Sequence, residues 1–236
     1  MTAKILDGWK LAQNILKDLP RSPKAKLAVI QVGNNPVSAK YIKEKEKTAK
    51  ALGVGFHLYR FAEKIKSSVL QSSLMRIAKD AKNTGLLIQL PLPLHLPLQE
   101  VLDCIPLKKD VDVLSSQALG LFAQGALPWL PPTVKAVSIL LQEVKVQLKG
   151  SRVLVIGAGR LVGLPVSLWL LKEGATLTIA NKATKDLSSL AKQADVIISG
   201  VGKYGVVKGS MVKKGAVVID AGTSVEEGKT RGDTDF

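Results

Sequence analysis

The sequence predicts an α/β fold with two domains, and two observations carry this prediction. Short apolar runs with strand character alternate with segments of helical periodicity, which is the pattern of parallel sheets covered by helices. The strand-like runs occupy residues 27–32, 54–59, 85–90, 153–156, 176–179, 196–199 and 216–219, and the helical segments occupy 67–82, 133–146, 161–172 and 186–193. A proline-rich break at 127–133 precedes a long amphipathic helix and a fresh strand. We therefore expect one domain at 1–132, a linking helix at 133–149 and a second domain at 150–236.

Length and charge narrow the classes of function. The chain has 236 residues, of which 46% are apolar, enough to bury the cores of two small domains. The 34 lysines and arginines outnumber the 19 acidic residues, and the formal net charge of +15 attracts polyanions. However, the lysines are scattered, aromatics are only 4% of residues, and no nucleic-acid-binding module is recognisable, so we do not expect a nucleic-acid partner. An anionic cofactor or substrate, or simple solubility, explains the charge as well.

Composition also bears on compartment and metal content. The sequence has no apolar run of membrane-spanning length and does not begin like a secretory signal, so we expect a cytoplasmic protein without a membrane partner. Cys104 is the single cysteine and cannot form an internal disulfide. Two histidines, His57 and His95, without a cysteine cluster predict chemistry that uses no metal.

A glycine-rich turn is the clearest candidate for a phosphate site. The apolar strand 153–156 runs into Gly157-x-Gly159-x-x-x-Gly163, and a helical pattern follows. Glycines let such a turn tighten and let the backbone approach a phosphate, while the helix N-terminus presents free N–H groups. This context predicts a Rossmann-like dinucleotide site, although a tight strand-to-helix turn without a ligand has the same pattern.

The end of the second strand of this domain bears on which dinucleotide binds. An acidic residue there would hold the ribose hydroxyls of NAD, but this chain has Asn181 and Lys182. That favours NADP, with NAD remaining possible, unless Lys182 is simply one more solvated lysine.

In the first domain, one lysine lies on an unexpected helix face. At helical spacing Tyr41, Lys45, Thr48 and Leu52 share a stripe, whereas the other lysines of the segment lie elsewhere. A cation on the buried side of a helix needs partners and is then suited to proton transfer. The alternative is a lysine whose stem is buried and whose ammonium reaches solvent.

Polar residues at predicted strand and loop ends are candidate partners of Lys45. Gln89 interrupts a strand that otherwise reads as buried, near the carboxyl end where α/β sheets place ligands, so it could face Lys45. Asp110 and Asp112 follow in a loop and either recognise donor groups of a ligand or cap the turn. An amide bonded to nearby backbone is an equally good account of Gln89 alone.

Together, and in this order, these segments resemble the bifunctional methylenetetrahydrofolate dehydrogenase and methenyltetrahydrofolate cyclohydrolase family. The resemblance extends over nearly the whole chain, and several motifs occur in register. They are Ile5-Leu-Asp-Gly8, Val32-Gly-Asn-Asn-Pro-Val-Ser38, Tyr41-x-x-x-Lys45, Gln89-Leu-Pro-Leu-Pro93, Lys109-Asp-Val-Asp112, the glycine turn, Val217-Val-Ile-Asp-Ala-Gly222 and Gly232-Asp-Thr-Asp-Phe236.

The resemblance implies roles for the residues already singled out. Lys45 would manage protons in the cyclohydrolase step, Gln89 would hydrogen-bond to it, Tyr41 would pack on the folate rings, and Asp112 would bind pterin N–H donors. The second domain would hold NADP for hydride transfer from the methylene carbon. The cofactor-binding residues expected on this basis are Gly157, Ala158, Gly159, Arg160, Gly163, Lys182, Thr184 and Thr223. It further implies a homodimer that supplies one-carbon units for purine biosynthesis.

Several positions depart from the family pattern. Gly157-Ala158-Gly159 stands where Gly-Arg-Ser is usual, which removes an arginine that grips the 2′-phosphate, and Asn181-Lys182 replaces His-Ser. Val113 replaces the glycine that usually follows the Lys-Asp-Val-Asp motif, and Pro131-Pro-Thr-Val134 replaces Pro-Cys-Thr-Pro. Family members also continue past this point into a loop and a last helix, so we expect a chain that lacks this segment. The competing hypothesis is a truncated dinucleotide-binding relic with little folate turnover.

Overall fold

The computed structural model describes residues 4–226 and 229–235, with Glu226 described by its backbone alone. Phe236, on which the last motif of the resemblance ends, lies outside the described residues. The chain divides into two compact units, Met1–Phe122 and Ala123–Phe236. Each unit is built on a parallel sheet with helices, as the alternation of apolar runs and helical segments predicts.

The first unit is built around a three-stranded parallel sheet of order β2-β1-β3. Its elements are α1 (Gly8–Asp18), β1 (Lys26–Val32), α2 (Pro36–Ala51), β2 (Gly55–Phe61), α3 (Ser67–Lys79), β3 (Gly85–Ile88), α4 (Leu98–Leu102), a short 3-10 helix (Leu107–Lys109) and α5 (Ser116–Gln124), of which all but the last two residues belong to this unit. Strand β3 is buried along its whole length, and Leu86 and Ile88 pack with Leu70 and Leu74 of α3 in the main core. This apolar packing holds the carboxyl end of β3 in place. The polar residue Gln89 follows directly after that end.

The second unit is built around a four-stranded parallel sheet of order β5-β4-β6-β8. Its elements are α6 (Pro132–Glu143), β4 (Arg152–Ile156), α7 (Gly163–Lys172), β5 (Thr176–Ala180), α8 (Leu187–Gln193), β6 (Val196–Ser199), β7 (Val207–Lys208), a short 3-10 helix (Gly209–Met211), β8 (Val217–Asp220), β9 (Ser224–Glu226), β10 (Lys229–Arg231) and β11 (Thr234–Asp235). Strands β9 and β10 form an antiparallel hairpin, and β11 pairs in parallel with β7.

The register of the second sheet aligns the ends of its strands. Ile156 pairs with Ser199, and Ser199 pairs with Asp220, so the loops after β4, β6 and β8 leave the same carboxyl edge. Because β5 and β6 lie on opposite sides of β4, the strand order reverses at β4. That reversal is the place where open α/β sheets bind ligands.

The predicted elements are confirmed with small shifts of their ends. The helix predicted at 133–146 ends at Glu143, and Lys145 follows with a positive φ of 54°, which a continuing helix does not allow. The strand predicted at 85–90 ends at Ile88, shortly before Pro91 and Pro93, which lack the N–H group that pairing needs. Helix α1 and the β9–β10 hairpin are additional elements.

Candidate active site

Lys45 lies on the stripe of α2 that faces the core of the first unit. The helix is capped by Asn35, whose side chain accepts the Ser38 N–H at 3.0 Å. Its buried residues are Ser38, Ile42 and Ala49, and half-buried Lys45 completes this stripe at spacings of four, three and four.

The prediction that Tyr41 and Thr48 share the buried stripe of α2 with Lys45 is wrong. Tyr41 is 44% exposed and Thr48 is also exposed. The physical reason is that Ile42, rather than Tyr41, supplies the apolar anchor of the helix. Tyr41, one turn before Lys45, therefore presents its ring at the surface beside the lysine.

A hydrogen bond joins Lys45, on helix α2, to Gln89, which directly follows strand β3. Lys45 Nζ donates to Gln89 Oε1 at 3.0 Å. Gln89 Nε2 donates to the Leu90 carbonyl at 2.8 Å, and Ser38 Oγ donates to the same carbonyl at 3.3 Å. Since the amide nitrogen is held by a carbonyl, the amide oxygen faces the ammonium group.

The two carboxylates of the following loop have different surroundings. Asp110 is 2% exposed and accepts the backbone N–H groups of Leu114 and Ser115, at 3.1 and 2.8 Å, so it holds the turn. Asp112 is half-buried, and burial raises the pKa of its carboxyl above the ordinary value. Lys45 opposes this pKa shift, whereas the charge of Asp110 adds to it. Lys45 is thus near enough to act electrostatically on Asp112.

Val113 gives the turn that carries Asp112 an unusual backbone. Its φ is 58°, and its side chain is 2% exposed. A left-handed conformation is strained for a β-branched residue, and a glycine would adopt it freely. The departure from the family pattern at this position therefore places a strained residue directly after Asp112.

The glycine turn of the second unit is built as the sequence predicts. Gly157 has a φ of 98°, and a Cβ on Gly163 would overlap the carbonyl oxygen of Gly157. At Gly159, in contrast, no described atom of a residue beyond its two chain neighbours lies within 4 Å of the position of an added Cβ. Helix α7 begins at Gly163 without a side-chain cap hydrogen bond. Open space beside an uncapped helix N-terminus fits a dinucleotide phosphate.

The remaining predicted cofactor residues lie around the same sheet edge. Thr184 Oγ1 accepts the Asn181 N–H at 2.8 Å, so this hydroxyl stabilises the turn after β5, and Lys182 is exposed within that turn. Thr223 is exposed in the segment after β8, and Ala158 and half-buried Arg160 belong to the glycine turn.

Sequence reasoning missed two carboxylates of this edge as site residues. Asp233 is fully buried and accepts the Ser199 hydroxyl at 2.6 Å, and Asp220 accepts the backbone N–H of Asp233 at 3.0 Å. The sequence signal that could have pointed to these carboxylates is the pair of nearby glycines, Gly222 and Gly232. In the structure, an added Cβ on either glycine would overlap one of the two carboxylates.

The described part of the chain contains neither a metal cluster nor a membrane-spanning helix. Within residues 4–226 and 229–235, no group of three or more histidine, cysteine, aspartate and glutamate residues could hold a metal ion. In the same part of the chain, no helix has the length and apolar content needed to cross a membrane.

Two family models match the two halves of the chain. The model described as tetrahydrofolate dehydrogenase/cyclohydrolase, catalytic domain, matches residues 4–112. The model described as tetrahydrofolate dehydrogenase/cyclohydrolase, NAD(P)-binding domain, matches residues 131–236.

Individual relatives match over nearly the whole chain. The bifunctional protein FolD of Hydrogenobaculum sp. is 38% identical over 241 residues, which cover 98% of this chain and 86% of that protein. FolD of Staphylococcus carnosus is also 38% identical and covers 100% of this chain and 86% of its own.

Solved structures agree with these matches. The bifunctional FolD methylenetetrahydrofolate dehydrogenase/cyclohydrolase of Campylobacter jejuni has a TM-score of 0.93 at 35% identity, covering 99% of this chain and 86% of its own. The Trypanosoma brucei enzyme, complexed with NADP cofactor and inhibitor, has a TM-score of 0.93 at 30% identity, covering 100% and 87%.

Proposed function

Because the chain belongs to the tetrahydrofolate dehydrogenase/cyclohydrolase family, we propose that it catalyses two consecutive reactions on folate. The first oxidises 5,10-methylenetetrahydrofolate to 5,10-methenyltetrahydrofolate with NADP, and the second hydrolyses the methenyl compound to 10-formyltetrahydrofolate. The observation that carries this proposal is the 3.0 Å hydrogen bond between Lys45 Nζ and Gln89 Oε1, within electrostatic reach of Asp112.

Lys45 is the residue we assign to proton transfer in the hydrolytic step. Water adds to the methenyl carbon and loses a proton, and the carbon–nitrogen bond that then breaks requires a proton on the leaving ring nitrogen. An amine held at a fixed position can take up the first proton and deliver the second. Gln89 fixes that position, because its amide orientation is itself set by the Leu90 carbonyl.

Asp112 and Tyr41 are the groups we assign to folate binding. The pterin ring presents an amino group and a ring N–H, which a carboxylate can accept together. The exposed ring of Tyr41 offers a flat apolar surface to the folate rings, one helical turn from Lys45. These contacts would hold the one-carbon unit beside Lys45 Nζ.

The second unit supplies the cofactor site. When bound, NADP accepts the hydride from the methylene carbon of the substrate. The backbone of Gly157, Ala158 and Gly159 and the N-terminus of α7 at Gly163 would bind its phosphates. Hydride transfer then depends mainly on how well the two reacting carbons are positioned.

Cofactor preference depends on the end of β5. Asn181 and Lys182 stand where an acidic residue would select NAD, and Arg160 in the glycine turn adds a second cation. We therefore assign the 2′-phosphate of NADP to Arg160 and Lys182, with Thr184 and Thr223 nearer to the rest of the dinucleotide.

Further assignments go with this function. We assign folate chemistry to residues 1–132, the chain link to 133–149 and cofactor binding to 150–236. We propose a cytoplasmic homodimer that binds neither nucleic acid nor membranes and whose product supplies purine biosynthesis. The net charge of +15 on each chain suits folates that carry a polyglutamate tail.

The test compares Lys45→Met with Lys47→Met, a matched change at an exposed position of the same helix. We expect Lys45→Met to lower the cyclohydrolase rate by about 100-fold or more, which is the scale of proton-transfer catalysis, and Lys47→Met to leave it unchanged. Both reactions are followed by absorbance, with NADP and with NAD.

Two results would contradict the proposal. If the unsubstituted chain turned over methylenetetrahydrofolate with neither cofactor, the function would be wrong. If Lys45→Met hydrolysed the methenyl compound at the unsubstituted rate, the role of Lys45 would be wrong while the function could stand.

A further inference from the structure

The loop that follows β6, residues 200–203, is held by a carboxylate from a distant part of the sequence. Asp233 Oδ2 accepts the Ser199 hydroxyl at 2.6 Å and the Val201 N–H at 2.7 Å, and Asp233 Oδ1 accepts the Lys203 N–H at 2.8 Å. Three donors spread over five residues thus converge on one side chain. Such a pattern fixes the path of a loop backbone.

Asp233 is itself held in place by Asp220. The Asp220 carboxylate accepts the N–H groups of Asp233 and Thr234, at 3.0 and 2.9 Å, and that of Gly222, at 3.0 Å. Gly222 lies against the Asp233 carboxylate and Gly232 against that of Asp220, so neither position has room for a Cβ. The two aspartates and their glycines form one closely packed, hydrogen-bonded group, which we call the Asp220–Asp233 clamp.

The energetics make the loop and the clamp depend on each other. Asp233 is 0% exposed, and a buried carboxylate is unfavourable unless hydrogen bonds replace its hydration. The donors that do so include the Ser199 hydroxyl and two backbone N–H groups of the loop. Removing the charge therefore leaves those donors poorly matched, and the loop loses its anchor.

The loop that the clamp holds lies beside the candidate cofactor site. The Gly200 carbonyl oxygen lies 3.1 Å from where a Cβ of Gly157 would be, so the loop packs directly on the glycine turn. A dinucleotide crosses this edge at β4, with its adenosine ribose at the end of β5. On this general pattern its other half, the nicotinamide, would lie on the β6 side, beside residues 200–203.

We infer that Asp233 is a positioning residue for hydride transfer, because it holds the 200–203 loop against the nicotinamide half of the cofactor. This inference rests on the proposed function. Asp233 is buried, so it acts through the loop backbone rather than by touching the substrate.

The test compares Asp233→Asn with Asp195→Asn. Asp195 also accepts a backbone N–H, that of Arg152 at 2.8 Å, and bonds Lys213, but it lies at the amino end of the same sheet. We expect Asp233→Asn to lower the dehydrogenase kcat by about tenfold or more, a size typical of a lost hydrogen bond to a buried charge. The hydride isotope effect on kcat should rise, because transfer becomes slower than product release.

The cyclohydrolase reaction and cofactor affinity supply the other readouts. Cyclohydrolase turnover and the KM for folate should stay unchanged, because both depend on the first unit. The Kd for NADP, measured by calorimetry without turnover, should rise several-fold in Asp233→Asn and stay constant in Asp195→Asn. A merely structural role would reduce the amount of folded protein without changing the isotope effect or the Kd of the folded fraction.

A second variant, Ser199→Ala, covers the case in which Asp233→Asn does not fold. It removes one of the three donors and should reduce the dehydrogenase kcat by a smaller factor, about threefold. Unchanged kcat, isotope effect and NADP affinity in the folded variants would overturn the inference. An unsubstituted chain without dehydrogenase activity would instead count against the proposed function, and calorimetry would still test the clamp.

Discussion

The candidate folate site and the candidate cofactor site are built in opposite ways. In the first unit the proposed chemistry depends on side chains, with Lys45, Gln89 and Asp112 brought together from a helix, a strand end and a loop. In the second unit the proposed phosphate contacts are made by the backbone of the glycine turn, and Asp233 holds the backbone of the 200–203 loop beside that turn. Apart from Arg160 and Lys182, which we assign to the 2′-phosphate, the side chains discussed in the second unit hold that backbone in place.

The two constructions predict different tolerance to substitution. A side-chain site fails when the reactive group is replaced, even if the fold is intact. A backbone site should accept different side chains where they point into open space, but it should fail when atoms are added where the chain is packed, as at Gly163. Substitutions should therefore separate the two sites cleanly.

The largest effect is expected from Gly163→Ala. The new Cβ would overlap the carbonyl oxygen of Gly157, so the turn must open. We expect a loss of about 3 kcal/mol in the unfolding free energy of the second unit, and dehydrogenase activity reduced by more than about 100-fold. Thermal unfolding and NADP-dependent turnover measure these changes.

Gly209→Ala is the matched control for that substitution. Beyond its chain neighbours and the backbone of its own short helix, no described atom lies within 4 Å of its added Cβ, so activity should stay unchanged. Cyclohydrolase turnover should persist in Gly163→Ala. If it disappeared together with the dehydrogenase, the two sites would not be separable.

A smaller effect is expected from Asp112→Asn, which attacks the side-chain site. Replacing the carboxylate should raise the KM for folate by about tenfold to a hundredfold, the scale of a hydrogen bond to a charged group. Because burial raises the pKa of the Asp112 carboxyl, folate binding by the unsubstituted chain should weaken at a higher pH than for an ordinary aspartate as the solution is acidified. The asparagine variant should lose this acid limb in a profile of KM against pH.

Asp112→Asn should weaken folate binding but increase the stability of the fold. A carboxyl whose pKa is higher in the fold than in the unfolded chain favours folding when protonated, and this contribution is lost as pH rises through the folded pKa. Asp112→Asn should therefore be slightly more stable than the unsubstituted chain at neutral pH. A variant that is less stable and keeps the acid limb would contradict the assignment.

The smallest effect is expected at Val113. Both Val113, beside Asp112, and Gly157, in the glycine turn, have a positive φ, but only Gly157 is a glycine. Gly157 supplies a positive φ without strain, whereas Val113 has a φ of 58° with a β-branched side chain. Val113→Ala keeps the left-handed strain, and Val113→Gly removes it. We expect the glycine variant to be more stable than the alanine variant by about 1 kcal/mol, the reverse of the usual order.

Urea unfolding of the two Val113 variants measures this difference. Both should be less stable than the unsubstituted chain, because each loses a buried side chain. An alanine variant more stable than the glycine variant would show that the turn relaxes out of the left-handed region. The KM for folate should rise only a few-fold in either.

The contrast between the sites also explains what the sequence could predict. The glycine turn and the Lys45–Gln89 pairing were predictable because strand ends, glycine spacing and a misplaced lysine are visible in one chain. The core-facing stripe of α2 was misassigned, since Ser38, Ile42, Lys45 and Ala49 give little contrast in polarity. The Asp220–Asp233 clamp was missed because its partners are mostly backbone N–H groups, which no residue pattern reveals.

The long sequence separation inside the clamp has a consequence for biosynthesis. Ser199 and Asp233 lie 34 positions apart, and all four strands of the second sheet precede Asp233 in the chain. A ribosome releases the chain from its amino end, so the residues of the folate site emerge long before this carboxylate does. During translation the sheet can pair while the loop after β6 still lacks its anchor. The nascent protein should therefore gain its hydrolytic site first and its competence for hydride transfer last.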